Sequence, residues 1–309
     1  MTHATALLAR SITWNSSKQT YLTAVLLADR RLADDCLRAY AYFRWADDTI
    51  DLACQSSAER AAFIARQKSL IDRLYRGERV ADLSPEEQLL ADLVSHDRQP
   101  ASGLRSFIYN FMAVLEFDAL RLGRLISQRE LASYTTCLAS AVMDGLQYFI
   151  GNGHPYPKTP LRTLAVEGAH YTHMLRDLLE DIPAGYTNIP AEDLRAYGIC
   201  TDNVECEELR RWVRVQVECA RACFQEGKRY IDSLDVFRCK LAGFWYCARF
   251  ERLLAVIERD GYRLRKAYPE RHSLSAWLEM ARLGLVVALK HLAGRLPRLF
   301  TRSNPRVAV

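Results

Sequence analysis

Two pairs of aspartates share one spacing in this chain, Asp47 with Asp51 and Asp177 with Asp181. Each pair lies in a segment of helical periodicity, where positions i and i+4 share a face, so each aims two carboxylates at one spot. Like charges placed this way repel by about 0.2–0.5 kcal/mol in an isolated helix, and burial increases that cost. Two such pairs facing one cavity would need cations between them. The spacing therefore predicts a site for polyvalent metal ions between two helices.

The first pair belongs to a longer stripe of Arg44, Asp47, Asp48 and Asp51 at i, i+3, i+4 and i+7, with Tyr40 one turn earlier. A stripe that mixes acids with arginine can be an exposed, salt-bridged helix face. The rest of this helix is almost entirely apolar, which favours a functional stripe that faces the protein interior. The apolar positions are Ala39, Ala41, Phe43, Trp45, Ala46 and Ile50.

The second pair follows two histidines on the same face, and a basic and an acidic residue lie beside them. The residues are His170, His173, Arg176, Asp177, Glu180 and Asp181. Histidine with carboxylate at helical spacing is a donor set for zinc or iron. The opposing aspartates favour a hard cation with oxygen ligands, which points to magnesium. A packing role, in which both histidines only form hydrogen bonds between helices, stays open.

Magnesium in proteins keeps several waters and is usually completed by ligand phosphates, so a diphosphate is the natural guest of such a site. Apolar side chains from the surrounding helices would enclose the rest of that guest as hydrocarbon. Ionisation of a prenyl diphosphate needs metal and arginine for the leaving pyrophosphate, and shelter from water for the allylic cation. The sequence supplies each of these parts.

The segments that must position these residues are helical throughout. Ten segments are indicated, nine as helices and one, residues 191–197, as a short turn or helix. These are residues 34–52, 58–75, 86–96, 104–122, 131–150, 161–182, 191–197, 205–234, 237–260 and 273–293. Pro155, Pro157 and Pro160 interrupt the pattern, which then resumes, so they predict a loop between helices and not a domain boundary. We therefore expect one all-α domain, a helical bundle with a central cavity, over residues 1–309.

Composition limits the class of protein. A net charge of +5 spread over 309 residues gives no basic surface for nucleic acid, so no nucleic-acid partner is expected. Nine cysteines, an odd number with no Cys-x-x-Cys motif, indicate reduced thiols in a cytoplasmic protein. No segment reaches the roughly 18 apolar residues of a membrane-spanning helix.

The carboxyl-terminal tail, about residues 285–309, combines basic with apolar side chains. Its basic members are Lys290, His291, Arg295, Arg298, Arg302 and Arg306. Two interpretations are open: a solvated terminal helix, or peripheral contact with an anionic membrane surface where greasy substrate and product reside.

The two acidic stripes resemble the signatures of the squalene/phytoene synthase family, the head-to-head trans-isoprenyl diphosphate synthases. Its first motif, Tyr-Ala-x-x-Arg-x-x-Asp-Asp-x-x-Asp, is met by Tyr40, Ala41, Arg44, Asp47, Asp48 and Asp51. Its second, Leu-Arg-Asp-x-x-Glu-Asp with a later proline, is met by Leu175, Arg176, Asp177, Glu180, Asp181 and Pro190. The family's phosphate-contacting Ser-Lys-Ser-Phe stretch is similar to Ser17, Lys18, Gln19, Thr20 and Tyr21.

The resemblance covers about residues 16–262 and implies an isoprenoid synthase fold that binds two prenyl diphosphates, farnesyl or geranylgeranyl. Magnesium ions would bridge the pyrophosphate to the metal ligands, which are Asp47, Asp48, Asp51, Asp177, Asp181 and His173. Diphosphate would also contact Arg44, Arg176, Ser17, Lys18 and Tyr21. Tyr40 and Tyr134 would line the reacting centre. The implied product is of squalene, dehydrosqualene or phytoene type, formed through a cyclopropyl diphosphate.

Three positions depart from the family pattern. His170 and His173 stand where members usually carry Gln and Asn. Met143 replaces a glycine on the Tyr134 helix, where we expect it to narrow the cavity or to reshape the channel for the hydrocarbon chain. Two alternatives therefore stay open, a relative that acts on a single prenyl diphosphate and a non-catalytic assembly factor of the same fold. No dinucleotide fingerprint is visible, so an NADPH-dependent step has no support in the sequence.

Overall fold

Serine residues fix where five helices begin. In the computed structural model, which describes residues 2–97, 102–151, 153–272 and 274–300, each of them accepts a hydrogen bond from a backbone amide three residues later. The capping residues are Ser17, Ser56, Ser84, Ser102 and Ser127. Such caps satisfy amides that the helix cannot pair and contribute about 1 kcal/mol each.

The described residues form twelve α-helices and no strand, which confirms the predicted all-α fold. The helices are α1 (Thr2–Ser16), α2 (Lys18–Leu27), α3 (Ala33–Asp48), α4 (Ser57–Tyr75), α5 (Pro85–Ser95), α6 (Gly103–Arg121), α7 (Gln128–Ile150), α8 (Leu164–Asp181), α9 (Ala191–Tyr197), α10 (Glu207–Ser233), α11 (Phe237–Arg259) and α12 (Leu274–Phe300). No helix of the described ranges is long and apolar enough to cross a bilayer.

The ten predicted segments are all helical, but helical periodicity gave no sign of α1 and α2. In α2 the reason is visible, because Leu22, Val25 and Leu26 are exposed while Ala24 and Leu27 are buried on the other side. Apolar residues on both faces leave no amphipathic period to detect. At the other end of the chain α12 runs to Phe300, seven residues past the predicted end. Residues 301–309 of the predicted tail, with Arg302 and Arg306, lie outside the described residues.

Two apolar clusters flank the interior. One is built mainly from α1 to α7 and the other from α8 to α11, and Tyr246 of α11 packs against both. Helices α6 and α7 form an antiparallel pair, since Gly103 at the start of α6 approaches Asp144 and Tyr148 near the end of α7. The space between the clusters is the cavity described below.

Close approach of α8 to α10 holds the second aspartate pair in place. A Cβ atom on Gly168 would lie 3.0 Å from the carbonyl oxygen of Ala220, and one on Gly227 would lie 2.5 Å from the backbone nitrogen of Ala165. Glycine at both crossing points lets the two backbones come nearer than side chains would allow.

We predict that Gly227→Ala destabilises the protein by about 1–3 kcal/mol, because the added methyl group overlaps backbone that has no room to move. Helix propensity alone predicts the opposite sign, a gain of about 1 kcal/mol. Urea unfolding measures the difference, and Cys219→Ala, an exposed site on the same helix, is the control with an expected change within about 0.5 kcal/mol. An unchanged midpoint for Gly227→Ala would show that α8 and α10 separate easily.

Candidate active site

A cavity of about 680 Å³ lies between α2, α3, α6, α7, α8 and α11. The polarity of its lining residues changes along α7 between Tyr134 and Phe149, which are fifteen residues or about 22 Å apart. Near Tyr134 the walls carry acids, arginines and amides, which are Arg44, Asp47, Asp118, Arg121, Asp177, Asp181 and Asn188. Near Phe149 the walls are aromatic and aliphatic, with Phe43, Phe107, Phe111, Leu146 and Ile150. The cavity therefore has one end for charge and one for hydrocarbon.

The first aspartate pair spans a change of helix type. Helix α3 ends at Asp48, and a π-helical turn, Thr49–Ala53, carries Asp51. The predicted uninterrupted helix over 34–52 is therefore wrong at its end. Burial and the charge of Asp51 raise the pKa of Asp47 to about 6, so the two carboxylates lie near enough to repel. Single π turns of this kind are frequent at functional sites.

Arg44 and Asp48 occupy the flank of this pair. Arg44 donates hydrogen bonds from its guanidinium to both carboxylate oxygens of Asp48, with Nε at 3.0 Å, and lies 3.5 Å from Asp47. Asp47 and Arg44 line the cavity, whereas Asp48 and Asp51 are not among its lining residues. The structure thus places Asp48 as a partner of Arg44, one step removed from the space that a ligand would fill.

The second pair is asymmetric. The guanidinium of Arg176 contacts both carboxylate oxygens of Asp177, and His173 Nδ1 lies 3.8 Å from that carboxylate. Burial alone would raise the pKa of Asp177, but the contacts with His173 and Arg176 outweigh it and lower this pKa to about 2. Burial and the charge of Asp177 raise the pKa of Asp181 to about 6. Asn188 Nδ2 donates a hydrogen bond of 2.6 Å to Asp181.

A fifth carboxylate, Asp118 of α6, lies between the two pairs and was missed as a site residue from sequence. It accepts hydrogen bonds from Tyr134 Oη at 3.0 Å and from Arg121 Nε at 2.7 Å. The charge of Asp118 also contributes to the raised pKa of three neighbouring carboxylates, Asp47, Asp51 and Asp181. The available signal was an acid in helical register with the apolar residues Phe107, Phe111, Val114 and Leu115.

The two histidines differ in their surroundings. His170 is buried, with Nδ1 2.8 Å from Thr135 Oγ1 and its ring 5.1 Å from that of Tyr134. Burial lowers the pKa of His170 to about 3, so the ring is neutral. His173 keeps 40% of its side chain accessible, and its ring packs 4.8 Å from that of Phe250. His170 therefore forms the hydrogen bond between helices that a packing role requires, while His173 remains open to the cavity.

The amino-terminal stretch is only partly at the site. Ser17 caps α2 and lies near Tyr40, whose phenol has its pKa raised by burial. Lys18 lies over the ring of Trp14 at 5.5 Å, and Tyr21 meets the same ring edge-on at 5.2 Å. Neither Lys18 nor Tyr21 lines the cavity, whose α2 wall consists of Thr20, Thr23, Ala24 and the following Ala28.

Met143 does not lie where we expected. Its neighbours Val142 and Gly145 line the cavity, whereas Met143 is buried beside a separate space of about 30 Å³ between α7, α8, α10 and α11. The expectation that Met143 narrows the cavity is corrected accordingly. A different residue of α7, Gly145, is closely approached from α6. A Cβ atom on Gly145 would lie 2.9 Å from the ring of Phe107.

An arginine pair faces the acidic groups. Arg249 of α11 has its pKa lowered by burial and by the charge of Arg176, and Tyr246 and Tyr40 are also within its electrostatic reach. Two arginines close enough to repel each other favour an anion between them. Arg249 was not predicted as a site residue, because its partner Arg176 lies on another helix.

The donor set fits hard cations that a ligand completes. Three carboxylates have raised pKa values from burial and from one another, which means that their charges lack full compensation within the protein. Within the ranges that the structure describes, no three His, Cys, Asp or Glu side chains converge closely enough to hold a metal ion by themselves. Zinc sites usually bring three or four such ligands together, whereas magnesium binds through one or two carboxylates plus water and phosphate oxygens.

In metal-free protein, neutralising Asp177 and neutralising Asp181 should change the free energy of unfolding in opposite directions. Because the folded-state pKa of Asp181 is raised, its ionisation destabilises the fold as pH rises from 3.8 through about 6, so Asp181→Asn should stabilise the protein at neutral pH. The pKa of Asp177 is lowered, so its stabilising effect is present above 3.8 and Asp177→Asn should destabilise. We expect about 1 kcal/mol in each direction, since both side chains are partly accessible.

Urea unfolding in EDTA at neutral pH and near pH 4 tests this contrast, and each variant serves as the control for the other. The gain from Asp181→Asn should fade towards pH 4, where the carboxyl is protonated in the folded state and, with an unfolded-state pKa of 3.8, only partly ionised in the unfolded state. Equal shifts for the two variants would contradict the asymmetry described above.

Comparison with solved structures gives matches over most of the chain. A dehydrosqualene synthase in complex with a ligand matches with 17% identity, 94% coverage of this chain, 98% of that chain and a TM-score of 0.71. The squalene synthase HpnC from Alicyclobacillus acidocaldarius matches with 19% identity, 85% and 97% coverage and a TM-score of 0.68. TcSQS bound to BPH1237 matches with 14% identity, 98% and 94% coverage and a TM-score of 0.61. At these identities the likeness establishes the fold.

Comparison with curated proteins gives no significant match. The sequence profile of the squalene/phytoene synthase family, in contrast, matches residues 15–277. The match contains both aspartate pairs and the cavity-lining residues Arg44, Asp118 and Arg121, and so includes the charged end of the cavity. The chain therefore belongs to the squalene/phytoene synthase family, a family of prenyltransferase enzymes.

Proposed function

We propose that this enzyme is a magnesium-dependent prenyltransferase that condenses two prenyl diphosphates head to head. The observation that carries the proposal is the cavity itself, with uncompensated carboxylates on two sides of its charged end and an aromatic, aliphatic far end. Similarity to structures described as squalene and dehydrosqualene synthases supports the same assignment.

At the charged end, Asp47 with Asp51 and Asp177 with Asp181 would hold magnesium, together with oxygens of the substrate diphosphates. Magnesium there would neutralise the charge that develops on the leaving pyrophosphate. His173 adjoins this set through Asp177, so it either ligates or orients that carboxylate. Asp48 contributes through Arg44, whose guanidinium it holds beside Asp47.

Arginines supply the second part of the diphosphate site. Arg44 lines the charged end, Arg176 contacts Asp177 there, and Arg249 lies within electrostatic reach of Arg176. Guanidinium groups bind phosphate oxygens in a bidentate manner. Arg44 and Arg176 are held by Asp48 and Asp177 in the absence of ligand, so they are oriented before substrate arrives. Of the amino-terminal stretch, Thr20 lines the cavity and Ser17 lies near Tyr40.

In the first chemical step the C–O bond of the donor breaks, and pyrophosphate leaves with the electron pair. The allylic cation then alkylates the double bond of the acceptor, and loss of one proton closes a cyclopropylcarbinyl diphosphate. Tyr40 and Tyr134 face this region, and their rings can stabilise a cation. His170 is neutral, so it adds no positive charge that would oppose the cation.

In the second step the cyclopropylcarbinyl diphosphate would lose its pyrophosphate and rearrange to an allylic cation. Loss of a proton from that cation would give a dehydrosqualene- or phytoene-type product, whereas a squalene-type product would also need hydride from a reductant such as NADPH. The alternative with a single substrate rested on His173 and Met143, and the position of Met143 outside the cavity removes one of these two reasons. The assembly-factor alternative conflicts with membership of an enzyme family in which this chain keeps all four paired aspartates.

Peripheral membrane contact through the carboxyl-terminal region is part of the proposal. On α12 an exposed apolar face is formed by Leu278, Leu285, Leu289 and Leu292, and Lys290 is exposed beside it. Apolar and basic groups on one helix are typical of binding to an anionic lipid surface.

Incubation with farnesyl or geranylgeranyl diphosphate and magnesium should yield pyrophosphate and a hydrocarbon or diphosphate of doubled carbon number, detected by mass spectrometry. EDTA should abolish the reaction, and Asp47→Ala should lose turnover while keeping its circular dichroism spectrum, because only a metal and diphosphate contact is removed. Exclusive C15 or C20 products would replace the head-to-head assignment by the single-substrate alternative.

Asp118→Asn should lower kcat by about tenfold or more, because the variant loses the carboxylate that accepts from Tyr134 and pairs with Arg121. KM should change less, since Asp118 lies among the groups around the reacting end and not along the apolar walls. Asp144→Asn on α7 is the control, because Asp144 bonds Arg162 and Ser106 away from the carboxylates. Equal kinetic effects of the two substitutions would reduce Asp118 to a structural role.

A further inference from the structure

Helix α2 is a thin wall of the cavity. Its inner face, with Thr20, Thr23 and Ala24, lines the cavity together with Ala28, and only Ala24 and Leu27 of its ten residues are buried. The wall runs along the length of the cavity, from Ser17 beside Tyr40 to Asp29, whose amide donates to the carbonyl oxygen of Phe149 at 2.8 Å. One helix with small inner side chains thus separates the hydrocarbon space from the outside.

The outer face of α2 is apolar and exposed. Leu22, Val25 and Leu26 are 38%, 47% and 65% accessible, and they lie on one helical stripe opposite the cavity-lining residues. Trp14, at the end of α1, is 44% accessible and adjoins this stripe through Tyr21 and Lys18. We name this set, Trp14 with Leu22, Val25 and Leu26, the outer patch.

Basic residues border the outer patch at both ends. Lys18 lies at one end, and Arg30 and Arg31, both exposed, follow the other. The carboxylates nearest to these arginines in sequence are engaged elsewhere. Asp29 pairs with Arg238, Asp34 with Arg10, and Asp35 with Arg38. The positive charges at the rim are therefore available to an external anion.

The start of α11 brings the outer patch and α12 to the same end of the protein. Arg238 donates to the carbonyl oxygens of Leu27 and Ala28 at 2.9 and 3.0 Å, which closes the end of α2. Its neighbour Phe237 packs its ring 5.3 Å from that of His291 of α12. Neighbouring residues of α11 thus contact the end of α2 and the His291 side of α12.

We propose that the outer patch docks on an anionic lipid bilayer, so that α2 is the wall between the catalytic cavity and the membrane. Apolar side chains enter the headgroup region and lysine and arginine at the rim meet lipid phosphates, which is the complementarity this surface offers. A tryptophan at the edge fits the same interface, where its ring is amphipathic. The docking itself does not depend on the reaction that the enzyme catalyses. The role that we assign to docking, passage of a hydrocarbon product past α2 into the bilayer, rests on the proposed function.

Co-sedimentation of the full-length protein with vesicles tests the docking without any substrate. Wild type should bind vesicles of phosphatidylcholine with phosphatidylglycerol, and more weakly those of phosphatidylcholine alone. Leu22→Asp/Leu26→Asp should reduce the partition coefficient by about tenfold for each leucine. Lys18→Gln/Arg30→Gln/Arg31→Gln should reduce binding to the anionic vesicles by about fivefold for each charge.

The matched control is Leu125→Asp, an apolar side chain that is 52% accessible and lies outside the outer patch, and its binding should equal that of wild type. Pyrophosphate release in buffer should be equal in wild type, control and Leu22→Asp/Leu26→Asp, so a failed docking and a failed assignment of the reaction give different results. A separate variant, Leu289→Asp/Leu292→Asp, measures the share of α12.

Three outcomes would overturn the proposal. Wild type that binds neither kind of vesicle excludes a lipid surface. A Leu22→Asp/Leu26→Asp variant that binds as wild type, while Leu289→Asp/Leu292→Asp does not bind, assigns the contact to α12 alone. A wild-type dimer in light scattering that Leu26→Asp dissociates, without vesicle binding, makes the outer patch a contact between copies of this chain.

Discussion

Repulsion among carboxylates is the constraint on which the rest of this structure depends. Asp47, Asp118 and Asp181 come from three helices. Burial disfavours the ionised form of each, and the charge of Asp118 adds to this effect for Asp47 and Asp181. The fold tolerates this because two apolar clusters and the glycine-mediated contact of α8 with α10 hold the helices in place. A ligand that brings cations removes the repulsion. Such a ligand stabilises the folded state by mass action, in addition to any contact that it makes.

The two aspartate pairs have one spacing but different chemistry. Asp177 is compensated in advance by Arg176 and His173, whereas Asp47 and Asp181 have only weaker partners. A cation that approaches Asp177 must compete with a guanidinium, while one that approaches Asp47 or Asp181 meets an uncompensated charge. Diphosphate would relieve this competition, because a guanidinium such as that of Arg176 can also bind phosphate oxygens. Under the proposed function, metal binding at the second pair would therefore be coupled to arrival of the anion.

The sequence predicted the parts of the site that lie on one helix, and not those that depend on several. Spacing along a helix locates Arg44, Asp47, Arg176 and Asp181, since helical geometry is local. Asp118 and Arg249 join the site only because α6 and α11 pack against the cavity, which no local period encodes. The wrong placement of Met143 has the same origin. Its neighbours Val142 and Gly145 face the cavity, and a shift of one residue along α7 is enough to turn a side chain from the cavity towards the separate small space beside α10. The π turn after Asp48 was likewise invisible, since the residues Thr49–Ala53 fit an α-helix equally well.

The failure to predict α2 has a different physical cause. Amphipathic periodicity arises when one face of a helix meets a core and the other meets water. On α2 the inner face meets a cavity suited to hydrocarbon, and the outer face carries Leu22, Val25 and Leu26. A helix between two apolar environments needs no polar face along its length. Its charged residues can then lie at its two ends, as Lys18 and Arg30 do. The absence of a helical period in this segment is thus what a wall between a greasy cavity and a bilayer would require of the sequence.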